Sequence, residues 1–338
     1  MKMKSFLLSL ILSLFLTIKA ELSEEYLKHQ QDIVEKVNNL HTTWKAELNP
    51  IDVRPLLGVL LDPETKLFAK ERLSIPARNI TPIQDLPENF DLRTEYPYCN
   101  SLFEIRDQAN CGSCWALASV ETMSDRHCII SKGKQKPILS SSVIITCCSL
   151  CGKGCNGGLP YEAFIYWLAA GIPTGGEYGD KGTCSPYFLP PCNHHISDTE
   201  LPDCPPTEKE PNCNKTCQDG YGIDFNNDRY FGTEYYAVKG EAEIMTEIYE
   251  RGSIESNFLV YEDFVNYREG VYQHVEGELL GGHAIKIIGW GVENGVKYWL
   301  CVNSWTEYWG DKGTFKILRG VNHCQIEGNI VTGIPKLD

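Results

Sequence analysis

The sequence predicts an α+β fold, with helices in the first half of a cysteine-rich body and a sheet in its last third. Three observations carry this. A proline-free run from Ser113 to Ile130 places Trp115, Leu117, Ala118, Val120, Met123 and Cys128 on helical spacing. Two β-rich apolar runs, Ala284 to Trp290 and Tyr298 to Trp305, flank Glu293, Asn294 and Gly295, a hairpin signal. All fifteen cysteines fall between Cys99 and Cys324, which in an exported chain reads as a disulfide framework with at least one thiol left over.

At 338 residues and 42% hydrophobic, the chain can bury one large core or two smaller ones. Its start, 1–20, carries Lys2 and Lys4, an apolar run from Phe6 to Ile18 and the small Ala20, the pattern of a cleaved secretory signal. That run is shorter than the ~20 residues that cross a bilayer, so no membrane span is expected. Entry into the secretory pathway follows, towards a lysosome or the extracellular space. The sequons at Asn79 and Asn214 agree with this route.

Residues 21–85 lack cysteine, and 24–40 set Tyr26, Leu27, Ile33, Val34, Val37 and Leu40 near helical spacing, which marks a separate module. Pro76, Pro82 and Pro87 then mark an extended, exposed linker suited to cleavage, and the body is placed at 86–338. Cys184 to Cys217 is dense in Pro, Cys and polar residues and reads as a disulfide-pinned loop. A formal charge of -14 and the lack of clustered Lys and Arg, which phosphate contacts need, disfavour nucleic acid, so no nucleic-acid partner is expected.

Acyl transfer through a thiol needs a thiolate, a base within reach, and donors aimed at the oxyanion. Cys114 follows Ser113 in N-cap position, so the helix dipole favours its thiolate, and an adjacent imidazolium lowers its pKa further. His283 supplies the imidazole behind Gly281 and Gly282, which permit close approach of a substrate backbone. Asn303 can fix the imidazole tautomer, with Trp305 shielding that bond from water. Strand parity tests the pairing. A three- or five-residue loop centred on Asn294 sets Asn303 opposite Ile285, on the face of His283; a two-residue Asn294–Gly295 turn sets it on the other face. The odd loop, or a bulge restoring its parity, is expected. Cys111 and Cys114 also have the spacing of a redox pair, but no short strand and aromatic precede them.

Gln108, Cys111, Gly112, Ser113, Cys114 and Trp115 resemble the active-site signature of the papain family. The order Cys, His, Asn agrees, while His283 lies 169 positions after Cys114, beyond the ~130 to 150 of that family, which asks for an insertion. Pro190, Pro191, Cys192, Asn193, His194 and His195 resemble the occluding loop of the cathepsin B group, near 192–204. The runs Leu86 to Arg93, Glu104 to Asp107, Cys155 to Gly158, Gly270 to His274 and Tyr298 to Trp305 resemble it as well, and the stretch with Thr42, Thr43 and Trp44 resembles its propeptide.

The resemblance implies a two-subdomain papain-like fold, a helical half and a β-barrel-like half with the cleft between them, and peptide hydrolysis without a cofactor. It implies that Gln108 and the Cys114 N–H form the oxyanion hole, that Gly157 and Gly158 align substrate backbone, and that His194 and His195 bind a C-terminal carboxylate and turn an endopeptidase towards removing dipeptides. No metal is expected there, because adjacent histidines seldom converge on one ion. The implied partners are protein and peptide substrates, the chain's own propeptide as inhibitor, and cystatin-like inhibitors. The implied disulfides are Cys99–Cys128, Cys111–Cys155, Cys147–Cys213, Cys148–Cys151, Cys184–Cys217 and Cys192–Cys204, leaving Cys114, Cys301 and Cys324 free; the Cys148–Cys151 span is one residue shorter than the family pattern.

Three departures bear on specificity. Asn329 stands where the group has an acidic residue closing S2, so a preference for Arg at P2 weakens. Of two ion pairs that hold the occluding loop, His194 with Asp107 is retained, and the other is replaced by Tyr308 with no arginine near Leu201. A looser loop and more endopeptidase activity are expected, with a modest cost, ~0 to 1 kcal/mol, for removing Asp107 if it is exposed. The competing class is a catalytically silent, disulfide-rich binding protein on the same scaffold, and the presence of Cys114, His283, Asn303 and Gln108 argues against it.

Overall fold

The computed structural model describes residues 24–62, 75–193, 201, 202, 204 and 209–337. The signal-like segment 1–20 and the pair His194 and His195 lie outside the described residues. A helix α1 (24–39) leads into strand β1 (Trp44–Ala46). The body then runs β2 (Phe90–Asp91), α2 (Leu92–Glu95), α3 (Cys114–Ile130), α4 (Ser141–Cys147), α5 (Pro160–Ala170), β3 (Gly232–Val238), α6 (Glu241–Arg251), β4 (Ile254–Tyr261), α7 (Glu262–Val265), β5 (Tyr267–Tyr272), β6 (Leu279–Glu293), β7 (Val296–Val302), β8 (Thr314–Leu318) and β9 (Ile330–Pro335). The half expected to be barrel-like is a mixed sheet of order β1-β5-β8-β7-β6-β4-β9-β3, with β2 on β6 and a parallel pair at β5/β8.

Helix α3 is buried from Cys114 to Ile129 because it packs on α5, on β6 and on β9. Its polar residues are therefore satisfied internally. Arg126 donates to Glu247 Oε1 at 2.6 Å and to the carbonyls of Gly333 and Ser253. Asp125 pairs with Lys286 Nζ of β6 at 3.2 Å, and Lys286 also reaches Ser101 O at 2.9 Å. Breaking such a pair leaves an uncompensated charge, so these contacts fix how the helical half meets the sheet.

The hairpin takes the second of the two allowed forms. Asn294 and Gly295, at φ 51° and 81°, make a two-residue turn, and Glu293 pairs with Val296. A bulge between Ile287 and Gly289 then shifts the register by one, so that Ile287 faces Cys301 and Lys286 faces Val302. The bulge restores the parity that puts Asn303 on the face of His283.

Other expectations change on folding. Ser113 holds the N-cap position, but its hydroxyl bonds Tyr187 Oη at 2.8 Å instead of capping the helix. The module before the linker shares the main core: Ile33, Val34, Val37, Trp44, Val53 and Leu56 are buried in one cluster with Trp299 and Phe315. The segment expected to be an exposed linker is partly docked, with Ala77 bridging Ala237 and the Ile83 N–H donating to Thr246. An edge strand with unpaired groups is a template for such pairing. All six implied disulfides are bonded, including Cys148–Cys151. Cys114 and Cys301 are buried thiols, whereas Cys324 is half-exposed.

Trp44 clasps the module to the body. It is 3% exposed, packs on Tyr267 and Tyr272, and donates Nε1–H to Gln273 O at 2.9 Å. Trp44→Ala is expected to cost about 3–5 kcal/mol of docking. Limited proteolysis should then cut residues 24–62 at lower protease while the body stays resistant; unchanged protection of the module would contradict this role.

Candidate active site

Cys114 opens α3, His283 lies in β6 and Asn303 follows β7, so three elements far apart in sequence meet at one end of the buried helix. His283 Nε2 lies 2.7 Å from Asn303 Oδ1, which also accepts the Ser304 N–H at 2.8 Å. Since Oδ1 accepts twice, Nε2 carries the proton, and Nδ1 is left as a bare lone pair with no partner among the described residues. That is the tautomer a base for a thiol requires. Trp305 is fully buried with its ring 4.8 Å from the imidazole, as a shield for the bond should be.

Gln108 is oriented from three sides. Its Oε1 accepts from Ser304 Oγ at 2.8 Å, its backbone N–H donates to Ser304 O, and its carbonyl accepts from Tyr187 Oη. Its Nε2 donates to Leu56 O at 2.8 Å and Cys111 O at 2.7 Å. Ser304 and Tyr187 escaped the sequence reading, because such long-range contacts leave no periodic trace.

The cleft is filled by the chain itself. The Gly58 N–H donates to Cys114 Sγ at 3.2 Å, Val59 N–H to Gly282 O at 3.1 Å, Leu60 N–H to Gly158 O at 3.2 Å, and Gly158 N–H to Gly58 O at 2.8 Å. Residues 56–60 thus use Gln108, Gly158 and Gly282 as a substrate backbone would. A side chain at 158 would strike the Trp115 ring, and one at 58 would strike Gly112 O.

This filling reverses the expected thiol chemistry. Burial pushes the Cys114 thiol up to about 12, only partly offset by backbone hydrogen bonds from Ala284, Gly58 and Trp115. Burial likewise pushes His283 down to about 4, against the raising effect of Asn303. The expected thiolate and imidazolium are therefore both neutral at physiological pH while the segment is in place, because neither ion is solvated.

Asp107 is buried at 7% exposure and accepts the Ala109 N–H at 2.7 Å and the Cys192 N–H at 3.3 Å, so it anchors the start of the 192–204 loop through backbone donors. Losing it leaves buried donors unpaired, which raises the expected cost from that of an exposed pair to about 1–3 kcal/mol. Leu201 and Tyr308 line one pocket with Phe103, Ile105 and Tyr178 and with the carboxylates of Asp107, Glu177 and Glu307. Gly157 sits beside Leu60 at φ 100°, and Asn329 is half-buried with Nδ2 on Gln325 O at 3.2 Å. Asn79 and Asn214 are exposed.

The model of the papain family cysteine proteases matches residues 86–334. The chain is 44% identical over 318 residues to cathepsin B-like cysteine proteinase 3 of Caenorhabditis elegans, covering 91% of this chain and 83% of that protein. Cathepsin B-like cysteine proteinase 4 of the same organism is 42% identical over 314 residues, 92% of this chain and 93% of its own. Among solved structures, proCathepsin B S9 from Trypanosoma congolense superposes with a TM-score of 0.77 at 33% identity, covering 90% of this chain and 98% of that one. Digestive procathepsin L2 proteinase from Tenebrio molitor shares the fold, with a TM-score of 0.66 at 22% identity over 94% of each chain.

A closed state that excludes the imidazole proton is weakened by acid. Between about 6.5 and about 4 the opened cleft binds a proton on His283 that the closed one does not, so closure loses up to about 1.4 kcal/mol per pH unit in that window. In a Cys114→Ser background, hydrogen exchange at Val59 and Leu60, corrected for intrinsic rates, should speed up as pH falls through this range. The effect should vanish with His283→Gln; a pH-independent protection in the histidine form would refute the linkage.

Proposed function

The chain belongs to the papain family of cysteine proteases, as a cathepsin B-like precursor, and on that premise we propose the residues and the subtype of its peptidase activity. The observation that supports the reading is the Cys114, His283 and Asn303 constellation blocked by the chain's own residues 56–60. Residues 21–85 act as an inhibitory propeptide, and their release from the body at 86–338 lets water back to the thiol and the imidazole. His283 Nδ1 takes the proton of the Cys114 thiol, and Sγ attacks the peptide carbonyl carbon while Gln108 Nε2 and the Cys114 N–H hold the oxyanion. His283 protonates the departing amine, which leaves a thioester. His283 next takes a proton from water, the hydroxide attacks the thioester, and Cys114 is restored.

His194 and His195 bind the C-terminal carboxylate of a substrate, so dipeptide release accompanies internal cleavage. Asn329 weakens the preference for Arg at P2, since a neutral amide forms no charge-assisted pair with guanidinium. The secretory route leads to a lysosome or the extracellular space, with Asn79 and Asn214 glycosylated and cystatin-like proteins as inhibitors.

Acid-processed protein should hydrolyse matched fluorogenic dipeptides with Arg or Phe at P2, and Cys114→Ser should hydrolyse neither. Asn329→Glu should raise the Arg-to-Phe ratio of kcat/KM about tenfold, the worth of one charge-assisted hydrogen bond. No turnover by processed, reduced wild type would overturn the peptidase, and an unmoved ratio would overturn the role of Asn329. Asp107→Ala, with the loop start unpinned, should shift the balance from dipeptide release towards internal cleavage of a protein substrate; a constant balance removes Asp107 from loop control.

A further inference from the structure

In the wall of the cleft, the sheet buries an amide that the chemistry so far leaves unused. Asn257 of β4 lies opposite Ala284 in the β4–β6 register, one residue from Phe258, which faces His283. By strand alternation its side chain shares a face with Leu259, Gly282 and Ala284, not with the imidazole. Val59 bridges Gly282, which lies opposite Leu259, two positions along the same strand face from Asn257, so Asn257 stands on the sheet face next to the point where the 56–60 segment is bridged.

The orientation of this amide is fixed. Asn257 Nδ2 donates to Asn329 O at 3.1 Å, and the Asn257 backbone N–H donates to the same carbonyl at 3.2 Å. A flipped amide would set two oxygens against each other, so Oδ1 is the atom turned away from Asn329. Asn257 is fully buried, and its Oδ1 has no partner among the described residues. Asn329 Nδ2 donates to Gln325 O, which turns that amide nitrogen towards Gln325, so the Asn257 Oδ1 is the amide atom of this pair left without a partner among the described residues.

We propose that Asn257 is a specificity-determining residue: its Oδ1 is an acceptor for a hydrogen bond from the side chain of the substrate's P2 residue, so that a neutral donor such as Thr is favoured over Val. This rests on the peptidase reading and on the placement of Asn329 at S2. Thr and Val have nearly the same volume and differ in one hydroxyl, so the comparison isolates the hydrogen bond from packing. A cleft that buries an acceptor penalises the analogue lacking the donor, because the acceptor is then left unpaired without water. The valine at 59 fits an inhibitory segment, which fills the pocket without matching it.

The test is kcat/KM of the acid-processed enzyme on two fluorogenic peptides that differ only in Thr or Val at P2. The expected result is Thr over Val by about tenfold in wild type, with the gap closing to within about twofold in Asn257→Ala and turnover of the Val peptide retained as a check on folding. Val equal to or better than Thr in wild type overturns the proposal whether or not the variant folds. A Thr preference that survives Asn257→Ala overturns the assignment to this residue. Turnover of neither peptide by wild type sinks the peptidase reading and this inference together.

Discussion

The architecture depends on burying one helix along nearly its whole length. Helix α3 has no solvent face to receive its charges, so Asp125 and Arg126 must find partners inside, and they find them on the sheet half at Lys286 and Glu247. Those pairs are worth little as net stability, since desolvation offsets most of their attraction. Their value lies in geometry, because each works at one docking of helix on sheet. That docking sets Cys114, at the helix start, beside Ala284 and so beside the imidazole of the preceding residue.

Placing a thiol at a buried helix start has a consequence for its charge. The helix dipole alone does not make a thiolate where no water reaches, and the same holds for the imidazolium. Residues 56–60 therefore act twice in the closed chain. They occupy the polar groups of the cleft, and they dry the two reacting side chains so that both are neutral. Closure and the neutrality of the thiol and the imidazole are one physical state, and acid works against it by favouring a hydrated imidazolium.

Two regions of the described residues set polar groups among apolar ones. Pro191, Leu201 and Tyr308 share a pocket with the carboxylates of Asp107, Glu177 and Glu307, so charge remains at that place. In β4, the Asn257 amide donates to the Asn329 backbone carbonyl and leaves its own oxygen without a partner among the described residues. A buried acceptor of this kind discriminates between partners by what is left unpaired.

The helix at 114–130, the hairpin about Asn294 and the identities of Cys114, His283 and Asn303 were legible because each leaves a local mark: an apolar spacing, a turn dipeptide, a residue type in a constrained motif. Strand parity even foretold that an odd loop or a bulge must exist, although the bulge near Ile288 could not be located, since the mismatch it absorbs arises from packing on both sides of β6. Ser113 shows the limit of local rules. It looks like a cap, yet Tyr187 takes its hydroxyl from 74 positions away. The sequence by itself determined which residue types meet and on which faces of their strands they lie. Only the tertiary structure decided that residues 56–60 fill the cleft, that burial neutralises the thiol and the imidazole, and that Asn257 keeps an unpaired oxygen, because desolvation and hydrogen-bond satisfaction are properties of the packed neighbourhood and not of any stretch of chain.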